Sequence, residues 1–300
     1  MKTFAVATLT LLLTALLCAA GAAEPASASA PLKVGVTLHP YFSWVKNVTA
    51  DTDVEVRSIV PGEVDVGDYQ PRPEDVKKIV DLDAIVVNGV GHDDFIFDMI
   101  KASGNTTLKI LRPNDGIPLI KSAHGNTIYA NTFISFSNAI AQTYAIAREL
   151  GQLRPQLADT FQRNAAAYAR RLREMKSKAA ARLVNTTVDR VVTVHDGYAY
   201  LMQEFGIEIA GVIQPAHGLV PSAAELGQMV DLLKKEKVKV VFSEESFPEP
   251  LAKVLREEGG ARMYIISHIA SGPFTADRFE TEMQKNVDTM VQALVTDKDR

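Results

Sequence analysis

The sequence predicts an α/β protein of two lobes, each a mainly parallel sheet flanked by helices, joined by one long helix. Three observations predict it. Short apolar runs alternate with amphipathic helical ones, the pattern of βαβ units. The alternation occurs twice along the chain. Between the two series, Ser135 to Leu183 reads as helix, and Thr160 to Arg182 contains neither Gly nor Pro.

The first lobe is expected over residues 32–135. Its strands are Lys33 to Leu38, Val54 to Val60, Ala84 to Val87 and Leu108 to Leu111. Its helices lie around Phe42 to Thr49, over Pro71 to Val80 and over Asp94 to Ala102. Pro73 and Glu74 suit the opening turn of the second, where a missing N–H costs nothing. Residues 136–183 form the helical region, broken only around Leu153 to Pro155. The second lobe, 184–300, has strands at Arg190 to Val194, Glu208 to Ile213, Val238 to Phe242 and Met263 to Ile266. Ser222 followed three residues on by Glu225 is a capping box that opens a helix. The final helix is Ala276 to Leu294.

Ahead of the lobes stands a targeting segment. Lys2 supplies a positive start, Phe4 to Ala20 is almost wholly apolar, and Gly21, Ala22 and Ala23 are small. This predicts a signal peptide over 1–23, cleaved after Ala23, a loose leader over 24–31, and a periplasmic mature protein. Cys18 is the single cysteine. Leu17 before it is larger than lipid attachment at that cysteine favours. A mature chain without cysteine must hold any metal through nitrogen and oxygen donors.

Composition excludes several classes. A net charge of −4 without a basic patch argues against nucleic-acid binding. The one basic stretch, Arg170 to Arg182, falls on a helix pattern and reads as a solvated face. The chain has no Walker loop, dinucleotide fingerprint, nucleophile elbow or HExxH.

The six histidines carry the functional signal. His39 follows the first strand, His92 comes four residues after Asn88, and His195 follows Val194 directly. His217 comes shortly after Ile213, and His268 follows Ile266 after one serine. Five of six therefore lie just past the carboxyl ends of expected parallel strands, the edge where open α/β sheets bind ligands. Imidazole is the commonest neutral metal ligand. Asp93, Asp94, Asp196, Glu244 and Glu245 are carboxylates that could complete a site. His124, in the polar loop Ser122 to Asn126, reads as an ordinary surface residue.

Several segments, in order, resemble one family. They are Val36-Thr37-Leu38-His39-Pro40-Tyr41, Asp68-Tyr69-Gln70-Pro71-Arg72-Pro73, Val87-Asn88-Gly89-Val90-Gly91, Asn131-Thr132-Phe133-Ile134-Ser135, His195-Asp196-Gly197-Tyr198-Ala199-Tyr200 and Val241-Phe242-Ser243-Glu244. Together they resemble the zinc/manganese solute-binding proteins of ABC transporters, the ZnuA and TroA types. The resemblance implies a non-enzymatic receptor that carries a divalent transition metal between its lobes, as a monomer, to a membrane permease. Zinc is the first expectation, with manganese or another divalent transition metal second. Of the four ligand positions that the resemblance implies, only His195 is retained. The others fall at Gly67, Asn131 and Ser267. Either the site has moved onto His195, His92, His268, His39 and His217, which is the reading preferred here, or metal binding is weakened or lost. Two rivals remain open: a receptor for a metal chelate or small organic ligand, served by Tyr41, Trp44, Tyr69, Tyr198 and Phe247, and a metal-dependent hydrolase with Glu244 or Glu245 as general base.

Overall fold

In a computed structural model of the chain, the described residues are 30–121, 128–214 and 220–295. The signal segment, His124 and His217 lie outside them. From Pro31 onward the residues cluster as one compact unit. Its first sheet contains β1 (Lys33–Val36), β2 (Glu55–Ser58), β3 (Ala84–Val86) and β4 (Lys109–Leu111), in the order β2-β1-β3-β4. Its second contains β5 (Arg190–His195), β6 (Glu208–Gln214), β7 (Val240–Ser243) and β8 (Arg262–Ile265), in the order β6-β5-β7-β8. Every pairing among these eight strands is parallel.

The described helices are α1 (His39–Val48), α2 (Pro73–Val76), α3 (Phe95–Ser103), α4 (Phe136–Leu153), α5 (Ala158–Leu183), α6 (Ala199–Glu204), α7 (Ala223–Lys235), α8 (Glu249–Glu257) and α9 (Arg278–Leu294). The two sheets repeat one strand order, so β1 and β5 are equivalent central strands. Crossovers leave them in opposite directions, which opens a crevice beyond their carboxyl ends.

The helical region is a pair of helices packed on each other. α4 stops at Leu153, and Pro155 opens a short 3-10 turn before α5. Gly151 lets α5 in close, since a Cβ there would stand 3.1 Å from that of Ala158. The 26 residues of α5 span roughly 39 Å at 1.5 Å each.

Burial follows the period-2 alternation of a strand. Val191, Val240 and Phe242 enter a large core that runs from Leu32 to Leu294 through both lobes. Val192, Val194 and Val241 face the other way, into a smaller core with Leu226, Leu233 and Leu255 of α7 and α8. The expected capping box is present at α7: Ser222 Oγ accepts from the Glu225 amide, and Glu225 accepts from the Ser222 amide.

Some elements differ from the sequence reading. α1 begins earlier, at His39, with Pro40 in its first turn. The helix expected over Pro71 to Val80 contracts to α2 followed by turns. α6 and α8 were not anticipated. α6 is short and hidden inside the motif beginning at His195, and α8 starts beside Pro248 and carries Pro250 in its first turn.

Candidate metal site

β5 ends at His195, whose side chain is 3% exposed as a residue and faces the crevice loops. Its Nδ1 accepts from the Gly197 amide at 2.8 Å, which leaves the ring hydrogen on Nε2. Asp196 Oδ1 lies 3.4 Å from the same Nδ1. It is the acceptor that would take an Nδ1 hydrogen if Nε2 turned to a cation, the carboxylate–histidine pairing that supports metal ligands. Burial, helped by the charge of Glu244, pushes the Asp196 carboxyl up to about 6.

The His268 ring stacks on His195 with centroids 5.5 Å apart and planes 22° apart. His268 comes from the segment after β8, and both its nitrogens face carboxylates. Nε2 donates to Asp65 Oδ2 at 2.7 Å, and Nδ1 is 3.6 Å from Glu244 Oε2. Burial works against the imidazolium. The hydrogen bond to Asp65, with the charges of Glu244 and Asp68, outweighs it and raises the His268 pKa above the usual value.

Asp65 sits in the loop after β2. Its Oδ1 accepts from the Gly67 amide at 2.8 Å, which fixes the carboxylate and turns Oδ2 to His268. Glu244 follows β7, and its Oε1 is buried without a hydrogen bond among the described residues. Strand ends of both sheets thus bring together two imidazoles and two carboxylates. Asp65, Glu244 and His268 border a cavity of about 670 Å³ whose walls also include Asp68, Glu245 and Glu282, while His195, stacked on His268, is not part of those walls. Among the described residues no three His, Cys, Asp or Glu side chains already stand close enough to hold an ion.

The other expected ligands go elsewhere. His39 is wholly buried at the start of α1. Its Nε2 donates to the Gly272 carbonyl at 2.8 Å, and its ring stacks on Phe274 at 3.9 Å. Burial drives its pKa down to about 4. With Nε2 spent on a carbonyl, His39 holds two chain segments together and is separate from the His195–His268 pair. His92 lies in the loop after β3 with φ 77°, its ring 5.7 Å from that of Phe133, and it does not border the cavity. His217 falls outside the described residues.

Of the five carboxylates expected to help, Asp196 and Glu244 are at the pair and Glu245 borders the cavity. Asp93 instead accepts from Thr37 Oγ1 at 2.6 Å and the Asn88 amide at 2.8 Å, buried in the first lobe. Asp94 precedes α3 at the surface. Asp65 was missed. The signal for it was present, because Glu63, Asp65 and Asp68 crowd the loop around Gly67, where the resemblance places a ligand.

The substituted positions are explained by their neighbours. Asn131 packs against the backbone beside His195: a Cβ on Gly197 would meet its Cγ at 3.0 Å. Ser267 is clamped by Asn286, which accepts from its amide and donates to its carbonyl, both at 2.7 Å. The aromatic pocket expected of an organic-ligand receptor is not formed by Tyr41, Trp44 and Tyr198, which are buried in the core.

The sequence model of the family described as "Zinc-uptake complex component A periplasmic" matches residues 34–293. The zinc-binding protein AdcA of Streptococcus pyogenes is 23% identical over 297 residues, covering 89% of this chain and 57% of its own length. The chain therefore spans little more than half of the curated relatives it matches first. The solute-binding protein (SBP) FpvC of Pseudomonas aeruginosa, solved with Ni²⁺, is 42% identical with a TM-score of 0.82, covering 88% of this chain and 97% of that one. The same protein solved with Mn²⁺ gives a TM-score of 0.83 at 42% identity, covering 88% and 98%.

Proposed function

The chain belongs to the family of periplasmic zinc-uptake components, and from that premise we propose that it captures a divalent transition metal between its lobes and delivers it to the membrane permease of an ABC importer. One observation carries the reading. His195 stacks on His268, and His268 lies between Asp65 and Glu244 at a crevice built by two parallel sheets.

The chemistry is an exchange of cations. The hydrogen bond to Asp65 and the charge of Glu244 favour the protonated form of His268, which places positive charge between two carboxylates. A metal ion takes that role once the imidazole gives up its proton and the Asp65 bond opens, so capture releases protons. His195 contributes Nε2 once its ring hydrogen moves to Nδ1, which gives up the Gly197 amide and takes Asp196 as its acceptor. Glu244 offers an oxygen that no hydrogen bond competes for. Two imidazoles and two carboxylates suit zinc, whose ligands include both. The carboxylates also admit harder ions, in keeping with the Ni²⁺ and Mn²⁺ held by FpvC. Zinc remains the first substrate proposed. One chain supplies all four groups, which accords with a monomer, and the signal peptide expected over residues 1–23 accords with export to the periplasm.

A second reading has one observation in its favour. The cavity of about 670 Å³ is far larger than an ion and lies in the range of small-molecule sites. A metal carried with a small organic chelator would use that space.

Calorimetry with zinc on protein purified without a histidine tag tests the site. His195→Ala and His268→Ala should each weaken zinc by more than about a hundredfold, beyond what loss of an outer-shell partner causes. Asp65→Asn should weaken it too, and His92→Ala should bind as the parent does. Parent affinity in His195→Ala would sink the proposal. Native mass spectrometry of the loaded protein separates the two readings, since a bare ion and a chelate differ in mass.

A further inference from the structure

Between His268 and α9 the chain crosses back to the first lobe, and it is fastened there at several points. The Gly272 amide donates to the Gly62 carbonyl at 2.6 Å, while the Gly272 carbonyl accepts from His39 Nε2 at 2.8 Å. Phe274 stacks on the His39 ring, with planes 7° apart, and its ring also lies 5.4 Å from that of Phe42. Ser43 Oγ donates to the Thr275 carbonyl at 2.9 Å and Asn47 Nδ2 to the Ala276 carbonyl at 2.8 Å. The approach at Gly62 requires glycine, because a Cβ there would stand 2.5 Å from the Gly272 oxygen.

The near end of the crossing is fixed as well. Ile269, directly after His268, has φ 59° although it is β-branched, and its side chain is buried in the large core. A β-branched residue in the left-handed region is an outlier, and it persists only where its surroundings over-determine it. Here the core holds the side chain while the Ser267 hydroxyl accepts from the Ile269 amide at 3.0 Å. Such outliers gather at binding sites, where the held conformation is part of the function.

We infer that His39, Gly62, Gly272 and Phe274 form a clasp that positions His268 over Asp65 for metal binding, so that these four are positioning residues for the captured ion. The inference rests on the metal-receptor reading above. It also accounts for His39, a strand-end histidine that the ligand cluster leaves out. Gly62 lies three residues before Asp65, and Gly272 four residues after His268. The clasp therefore joins the two ligand-bearing loops beside the ligands themselves. Without it, His268 would have to be ordered by the metal, and that ordering would be subtracted from affinity.

The test is zinc affinity by competition with a chromophoric chelator, together with the unfolding midpoint of each apo protein. Phe274 is half-buried, so Phe274→Ala should fold. It and Gly62→Ala should each weaken zinc by about tenfold or more, the range for groups that orient ligands. Phe274→Tyr keeps the stack and should restore parent affinity. Glu204→Gln, a destabilising change away from clasp and site, should leave affinity as it was. Parent affinity in both Phe274→Ala and Gly62→Ala would overturn the clasp. So would an equal loss in Glu204→Gln, or failure of Phe274→Tyr to rescue, because either would reduce the effect to general stability. Absence of zinc binding by the parent would instead reject the metal-receptor reading.

Discussion

His39 shows how one residue can couple fold stability to acidity. Its ring is buried, Nε2 donates to a carbonyl and Nδ1 has no hydrogen bond, so it stays neutral in the fold. Burial is the main cause of the drop from 6.5 to about 4; Arg278 adds to it, while the backbone of Gly272 and of Gly62 and the charge of Asp65 oppose it. With a depressed folded value, the unfolded chain takes up the proton first. The residue therefore costs nothing at pH 8, and its penalty grows as pH falls through 6.5 towards 4. At pH 5 it amounts to about 2 kcal/mol by proton linkage. Asp93 and Asp196, both raised to about 6 by burial, act in the opposite sense below pH 6 but are common to parent and variant. His39→Gln keeps a donor for Gly272 and cannot titrate. Urea unfolding of metal-free protein at pH 8 and pH 5 should show the parent losing about 2 kcal/mol more than the variant. Equal losses would mean the ring is protonated in the fold. His39 and His195 occupy equivalent strand ends, and the sequence treats them alike. What separates them is a bond partner 233 residues away, for which no local pattern exists. Asp65 is the opposite case: its signal is local, an acidic loop of Glu63, Asp65 and Asp68 around Gly67.

At the scale of elements, Glu204 at the end of α6 governs the start of α4. Its carboxylate accepts from the Phe136 and Ser137 amides at 2.7 and 2.8 Å, two of the donors a helix N-terminus leaves unpaired. Ser135 Oγ satisfies the Asn138 amide, and Lys176 of α5 lies 3.1 Å from Glu204. A buried negative charge here also meets the positive end of the helix dipole. Glu204→Gln retains one acceptor but sets an NH₂ group against an amide, so it should cost about 2 kcal/mol, the scale of hydrogen bonds to a charged group. A shift of urea midpoint under a quarter of that would show the carboxylate to be dispensable. None of this coupling was legible beforehand, because α6 itself was unseen. The inner strands β1, β3, β5 and β7 were legible because they are buried on both faces and read as short apolar runs. The long α4–α5 stretch was legible for lack of Gly and Pro after the break at Pro155. Helices opened by prolines, or folded into a turn as at Pro73–Val76, lacked the length that makes periodicity visible.

For the whole molecule, the decisive feature is that the two sheets share the large core, the second sheet keeping a smaller one on its other face. The large core takes Val34 and Val86 from the first sheet and Val191, Val240 and Phe242 from the second. α1, α4, α5 and α9 pack between them. The clasp and Glu204 add polar ties across the same boundary. Two lobes with independent cores would unfold in two steps, as multidomain proteins commonly do. Shared burial makes opening one lobe expose the apolar surface of the other, so the metal-free protein should unfold in a single transition. Far-ultraviolet circular dichroism and Trp44 fluorescence should report the same midpoint, since Trp44 is buried in that core at α1. Metal should then move the whole transition, because an ion bound by His195 and His268 of one lobe and Asp65 of the other is lost when either opens. Free zinc at about a hundred times its dissociation constant should add ~2.7 kcal/mol, rising with the logarithm of concentration. The same shift by both probes supports capture between coupled lobes. If zinc moves the dichroism transition while the Trp44 transition stays in place, the ion is held by the second lobe alone, and Asp65 is not among its ligands.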